Sequence, residues 1–221
     1  MKRYFKNKKL LEKNNVYSKD MEHDACGVGL VASTEGKKSR KVVEYGIQAL
    51  KAVWHRGAVD ADGKTGDGAG IHVEISKEFF KEKIEVTGHT YDNSEICIGM
   101  IFLPRNDYEA QENCRTLVEK ELTQNNFSIY GWRQVPVNTK VLGEKAEQTR
   151  PEITQVLFRY NDQKLSGKAL EIKLYETRRK IENNVRQNHL DNFYICSFSS
   201  KSIIYKGMFL AEALADFYPD L

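Results

Sequence analysis

The sequence predicts an α+β domain, and three observations predict it. Apolar residues recur at helical spacing in three long segments, other apolar runs alternate or run on as strands do, and the last two strands are separated by a very short polar turn. Strands joined by hairpins with helices grouped between them pack as layers.

Taken in chain order, residues 1–25 are a charged leader, readable as a disordered, tag-like tail or as a processed propeptide. The Ala25-Cys26 junction favours the propeptide. Residues 26–32 (Cys26-Gly27-Val28-Gly29-Leu30-Val31-Ala32) are expected to form a strand. A helix over 39–54 places Val43, Ile47, Leu50 and Trp54 on one face. A glycine-dense loop over 57–70 leads to a strand with Ile71, Val73 and Ile75 on one side and His72 and Glu74 on the other. The run from Ile96 to Leu103, closed by Pro104, predicts a strand covered on both faces. Asp107 is placed to cap a helix reaching about Asn125, with Cys114, Leu117 and Leu122 turned inward as packing. Strands are expected at 127–133 and 153–160, and a helix over 166–187 carries Leu170, Leu174, Ile181 and Val185. The segments 193–199 and 202–205 read as a hairpin.

Composition narrows the classes. A chain of 221 residues with 40% hydrophobic content suits one domain or little more, with enough apolar material for a core. The net charge of +3 resides entirely in the leader, where Lys2, Arg3, Lys6, Lys8, Lys9, Lys13 and Lys19 outweigh Glu12, Asp20, Glu22 and Asp24. The charge-balanced body has no basic footprint for nucleic acid. The leader holds no apolar stretch of the kind a secretory signal needs, and no segment approaches the roughly 20 apolar residues that span a bilayer. The cysteines at 26, 97, 114 and 196 show neither zinc spacing nor a disulfide framework, so a reducing cytoplasm fits.

Cys26 carries the chemistry. If residues 1–25 are removed, its thiol shares a residue with a free α-amine, whose ordinary pKa of about 7.7–8.0 lets it serve as the base. Gly27, without a side chain, would let a planar amide approach the backbone. The plainer reading is a buried cysteine beginning a strand. Arg56 and His55 suit the end of a helix through its dipole, and Arg56 could instead organise a pocket or favour the thiolate.

The loop carrying Asp67 and Gly68 fails two other readings. A phosphate-binding loop ending Gly63-Lys64-Thr65 needs a glycine where Ala58 stands. A calcium loop from Asp60 and Asp62 needs glycine at Thr65 and glutamate at Ile71. What remains is a close-packed loop near a nucleophile, or a long surface loop.

Read together, Cys26-Gly27-Val28-Gly29, the helix ending in Trp54, His55-Arg56-Gly57-Ala58 and the run Asp60 to Ile71 resemble the start of the class II glutamine amidotransferase domain. Tyr130-Gly131-Trp132-Arg133-Gln134-Val135-Pro136-Val137, Phe193 to Ser197 and Ile204 to Met208 narrow the resemblance to the glutamate synthase large-subunit family. The resemblance implies the four-layer αββα sandwich of N-terminal nucleophile hydrolases, incomplete at its C-terminal end, with residues 26–221 as the first part of the domain after a 1–25 leader. It implies Cys26 as nucleophile toward glutamine, with Gly27, Arg56, Asp67 and Gly68 at the substrate pocket. The arginine segment and the Asn-Gly pair that the family uses for substrate carboxylate and oxyanion are not found before Leu221. For the complete enzyme the resemblance implies FMN, an iron–sulfur cluster and NAD(P)H or ferredoxin, none of them in this chain. The partners it implies are the remaining synthase domains and a small reductase subunit. A noncatalytic binding or assembly domain of the same fold, and an amidotransferase of another ammonia-using pathway, remain as alternatives.

Overall fold

The computed structural model describes residues 2–14, 18, 27–53, 58–162 and 164–221. The helices are α1 (Lys2–Lys13), α2 (Arg40–Ala52), α3 (Lys77–Val86), α4 (Tyr108–Gln124), α5 (Glu144–Gln148), α6 (Gly167–Gln187) and α7 (Leu214–Phe217). The strands are β1 (Ala69–Glu74), β2 (Ile96–Leu103), β3 (Phe127–Gln134), β4 (Glu152–Tyr160), β5 (Tyr194–Ser199) and β6 (Ser202–Gly207). They form an antiparallel four-stranded sheet in the order β3-β4-β2-β5 and a separate antiparallel pair, β1-β6.

Alternation along β2 explains why two apolar cores form. Ile96, Ile98 and Met100 point into a cluster shared with Ile203, Tyr205, Phe209, Phe217 and Tyr218. Cys97, Ile101 and Leu103 point the other way, toward Cys114, Val118 and Leu122 of α4 and Leu170, Leu174, Ile181 and Val185 of α6. With side chains covered on both faces, a continuous apolar run is the expected sequence, and β2 is that strand. The helix α2 packs against β1 and joins the first of these clusters through Ile47, Val43 and Leu50.

Local signals account for most boundaries. Asp107 caps α4 by accepting a hydrogen bond from the Ala110 amide at 2.9 Å. The helices α1, α3, α5 and α7 have no counterpart among the sequence expectations, and α1 stands in the charged leader; in α3, Ser76 accepts from the Phe79 amide and Phe80 and Ile84 are buried one turn apart. Its ten residues offer too few turns for the period to stand out.

Two expectations are corrected. First, residues 27–33 form no strand: Val28 and Leu30 are 88% and 91% exposed, and no described strand pairs with them. An alternating pattern lowers free energy only where an edge supplies hydrogen bonds and cover. Second, 193–199 and 202–205 are not a hairpin, because β5 pairs with β2 while β6 pairs with β1. The chain changes sheet at the turn, where Ser200 donates both its amide and its hydroxyl to the Glu171 carboxylate of α6, each at 2.8 Å. Ser199 donates to the other oxygen of Glu171 at 2.9 Å. That helix anchor rotates the chain out of the first sheet.

Candidate functional site

Two of the predicted site residues, Cys26 and Arg56, lie outside the described residues, as do Trp54 and His55. Gly27, Asp67 and Gly68 are described and exposed, and the last two are adjacent in the loop before β1.

The loop is a built feature. Val59 bridges to Gly66, and the Asp60 amide donates to the Thr65 carbonyl at 2.8 Å, closing a tight turn. Inside that turn one oxygen of Asp62 accepts from the amides of Lys64 and Thr65 at 2.9 and 2.7 Å, and the other accepts from the Thr65 hydroxyl at 2.6 Å. These three donors, led by the Thr65 hydroxyl, hold the Asp62 carboxyl well below the usual carboxylate range. Thr65 is buried, and its oxygen also accepts from the Ala146 amide in the first turn of α5 at 3.3 Å. Lys145 of the same helix donates to Asp60 at 2.6 Å, which lowers the Asp60 pKa and raises that of Lys145. The turn is thereby clamped to α5, some eighty residues away. Sequence reasoning missed this role for Asp60, Asp62 and Thr65; the signal was the Asp-Gly-Lys-Thr run, in which a carboxylate commonly folds back onto amides two and three residues on.

Past the clamp, Gly68 has φ of +127°, a conformation that favours glycine. Gly70 lies against β6, where a Cβ would fall 2.8 Å from Lys206 Cβ and 2.9 Å from the Tyr205 carbonyl oxygen. The exposed Asp67-Gly68 rim is therefore fixed by the clamp on one side and by the β1-β6 ladder on the other.

The Tyr130 to Val137 stretch has a different position. Tyr130 is the extra residue of a β-bulge, set between Ile129 and Gly131, which pair with Phe158 and Leu157 of β4, and its hydroxyl donates to Asp92 at 2.7 Å. Burial raises the pKa of the Asp92 carboxyl, but hydrogen bonds from Ser94 and Tyr130, with the Arg159 charge at 2.9 Å, leave it below its ordinary value. Trp132 is half-buried against the α4 side, donating to Glu119 at 2.7 Å. Arg133 is largely shielded; it pairs with Asp220 and donates to Gln155 at 2.7 Å. A groove of about 500 Å³ runs beside this strand, lined by Lys83, Thr87, Tyr130, Trp132 and Arg133, and contains none of the predicted site residues.

The three described cysteines are free and buried. Burial pushes the Cys114 and Cys196 thiols up to about 11 and the Cys97 thiol higher still, which makes them packing residues rather than nucleophiles. Among the described residues no group of three or more His, Cys, Asp or Glu is arranged to hold a metal ion, and no helix is long and apolar enough to cross a membrane.

Comparison with known proteins gives the context. The sequence profile of the class-II glutamine amidotransferases matches residues 26–221. A glutamate synthase large chain of the NADPH type from Azospirillum brasilense is 56% identical over 207 residues, which is 94% of this chain and 14% of the relative. Ferredoxin-dependent glutamate synthase 2 of Synechocystis is 37% identical over 201 residues, 90% of this chain and 12% of its own length. An NADH glutamate synthase of Saccharomyces cerevisiae is 34% identical over 220 residues, 95% of this chain and 10% of that protein. The chain thus spans about one seventh or less of the relatives it matches.

Proposed function

The chain belongs to the class-II glutamine amidotransferases, and from that premise we propose that residues 26–221 are the glutaminase part of a glutamate synthase, with Cys26 the nucleophile once residues 1–25 are removed. The observation that carries this reading is that the family match begins on Cys26 itself.

In the proposed reaction the freed α-amine takes the thiol proton as sulfur attacks the glutamine carboxamide carbon. The tetrahedral adduct breaks its C–N bond, and ammonia departs with a proton returned by the ammonium. Water then attacks the γ-glutamyl thioester, breaking the C–S bond, releasing glutamate and restoring the thiol. Gly27, Arg56, Asp67 and Gly68 border the pocket in this reading, supported by the clamped loop that presents Asp67 and Gly68. The four-layer αββα sandwich belongs to the same proposal. What supports it is that the four-stranded sheet has an apolar cluster on each face, one shared with the α4-α6 pair and the other with α2 and the β1-β6 pair.

For the whole protein we propose that the ammonia is passed to 2-oxoglutarate in the cytoplasm. FMN, an iron–sulfur cluster and NAD(P)H or ferredoxin would act in the remaining synthase domains, with a small reductase subunit as partner.

The test combines mass and chemistry on the full-length protein. Expected are a mature N-terminus at Cys26, covalent labelling of Cys26 by a glutamine-analogue electrophile, and complete loss of glutamine hydrolysis in Cys26→Ala. Retained hydrolysis in that variant overturns the assignment. A mass still including Met1 to Ala25 together with an unlabelled thiol favours a noncatalytic fragment.

A further inference from the structure

We propose that the open part of the β3 edge, residues 132–134, is a docking slot for an extended acidic segment of a partner polypeptide, which joins the larger sheet there as an added strand. Among the described residues β3 ends the sheet order, with β4 as its one neighbour. Just past it, Val135 donates its amide to the Ile153 carbonyl at the start of β4, at 3.0 Å. Alternate residues of an antiparallel pair turn their amides and carbonyls to opposite sides, so those of Trp132 and Gln134 point away from β4. They face the groove of about 500 Å³ that runs along this strand.

The edge is closed at one end and open at the other. Thr87, the C-cap of α3, sets its hydroxyl 2.8 Å from the Tyr130 carbonyl oxygen, and a Cβ on Gly131 would fall 3.0 Å from Thr87 Cβ. A bulge and a covering helix end are ordinary protections of a free edge, and here they act at residues 130 and 131. Beyond them the groove separates the edge from Lys83, Val86 and His89, with Val86 82% exposed. An unpaired row of backbone groups beside an open groove is what an added strand takes up, supplying main-chain hydrogen bonds for affinity and alternate side chains for specificity.

The flanking side chains set the chemistry of that strand. Arg133 and Lys83 both lie against the Phe79 ring, 5.3 and 4.7 Å from its centre. Asp220 pairs with Arg133 and answers one of the two charges. No acidic side chain is among the described residues that line the groove. Trp132 lies on the opposite face of β3, half-buried on the α4 side. An added strand turns successive side chains to opposite faces, which selects acidic residues beside Lys83 and Arg133 and apolar ones beside Trp132. A second copy of the chain is disfavoured, because pairing 132–134 with itself sets Arg133 opposite Arg133, and like charges directly opposite destabilise.

The experiment uses the full-length protein with a blocked hexapeptide of three Glu-Val repeats and its Lys-Val counterpart, read by titration calorimetry and amide exchange. Expected are saturable binding of the glutamate peptide, at least about tenfold weaker binding of the lysine peptide, and slower exchange at Trp132 and Gln134 with no change at Arg133. Lys83→Glu should weaken the glutamate peptide about tenfold while leaving the urea midpoint unchanged. Gln134→Pro deletes one outward amide and should weaken it about as much. If that variant fails to fold, Lys83→Glu decides alone. Absent binding, equal binding of the two peptides, or protection at residues away from the β3 edge overturns the inference. Protection of Trp132 and Gln134 before any peptide is added also overturns it, since the edge is then filled by the rest of the polypeptide or by a second copy. None of these readouts depends on glutamine cleavage, so the glutaminase reading stands or falls separately.

Discussion

The two sheets use similar apolar residues and are finished in opposite ways. In the four-stranded sheet, β2 has a paired strand on each side and a hydrophobic cluster against each face, so seven of its eight residues are fully buried. In the β1-β6 pair each strand has one partner, and β1 alternates half-buried with exposed positions. The larger sheet gains its stability from apolar area removed from water on both faces. The smaller one depends on close backbone approach at Gly70, on the packing of α2 against β1, and on a turn clamped to α5. The contrast places rigidity in the larger sheet and the candidate chemistry at the border of the smaller, where a moderate change can move a site without unfolding the chain.

The largest effect expected from this contrast is in the larger sheet. Leu157, fully buried on β4, truncated to alanine should cost about 3–5 kcal/mol by urea unfolding. Val73→Ala on half-buried β1 should cost about 1 kcal/mol. Equal losses would erase the distinction between the sheets.

A smaller effect is expected at the contact of β1 with β6. Gly70→Ala puts a methyl group 2.8 Å from Lys206 Cβ and should cost about 1–3 kcal/mol. Amide exchange should accelerate along β1 and β6 while β2 and β4 stay protected. Uniform acceleration would show that the two sheets open as one unit.

The gentlest test is acid titration of the loop clamp. The folded Asp62 pKa lies below its ordinary value of 3.8, so its contribution is complete above that value and is lost as pH falls through the folded pKa. Asp60, lowered by Lys145, acts in the same direction and window. Asp62→Asn should be less stable than wild type at pH 7 and should show a flatter loss of the urea midpoint below about pH 4. Parallel pH curves for the two proteins would show that the carboxylate form does not hold the turn.

Much of the architecture was legible because its causes are local. The Asp107 cap and the spacing of Cys114, Leu117 and Leu122 specify α4, and Leu170, Leu174, Ile181 and Val185 specify α6, each within a few turns of chain. The unbroken apolar run of β2 likewise announced a strand with two covered faces. Of the candidate site, Cys26 and Arg56 were read from sequence and lie outside the described residues, while Asp67 and Gly68 were read as pocket residues on a glycine-dense loop without the clamp that holds it.

By itself, then, the amino-acid sequence determined the three long helices α2, α4 and α6 and most strands. The tertiary structure alone decided that β6 leaves the sheet of β5 to pair with β1, that Asp62 and Thr65 dock on α5, and that Arg133 meets Asp220. Helix periods and caps are set by residues a few positions apart. Sheet assignment and buried polar pairing depend on groups brought together from distant segments, such as Glu171 at the Ser199-Ser200 turn, and their energies exist only once the chain has closed around them.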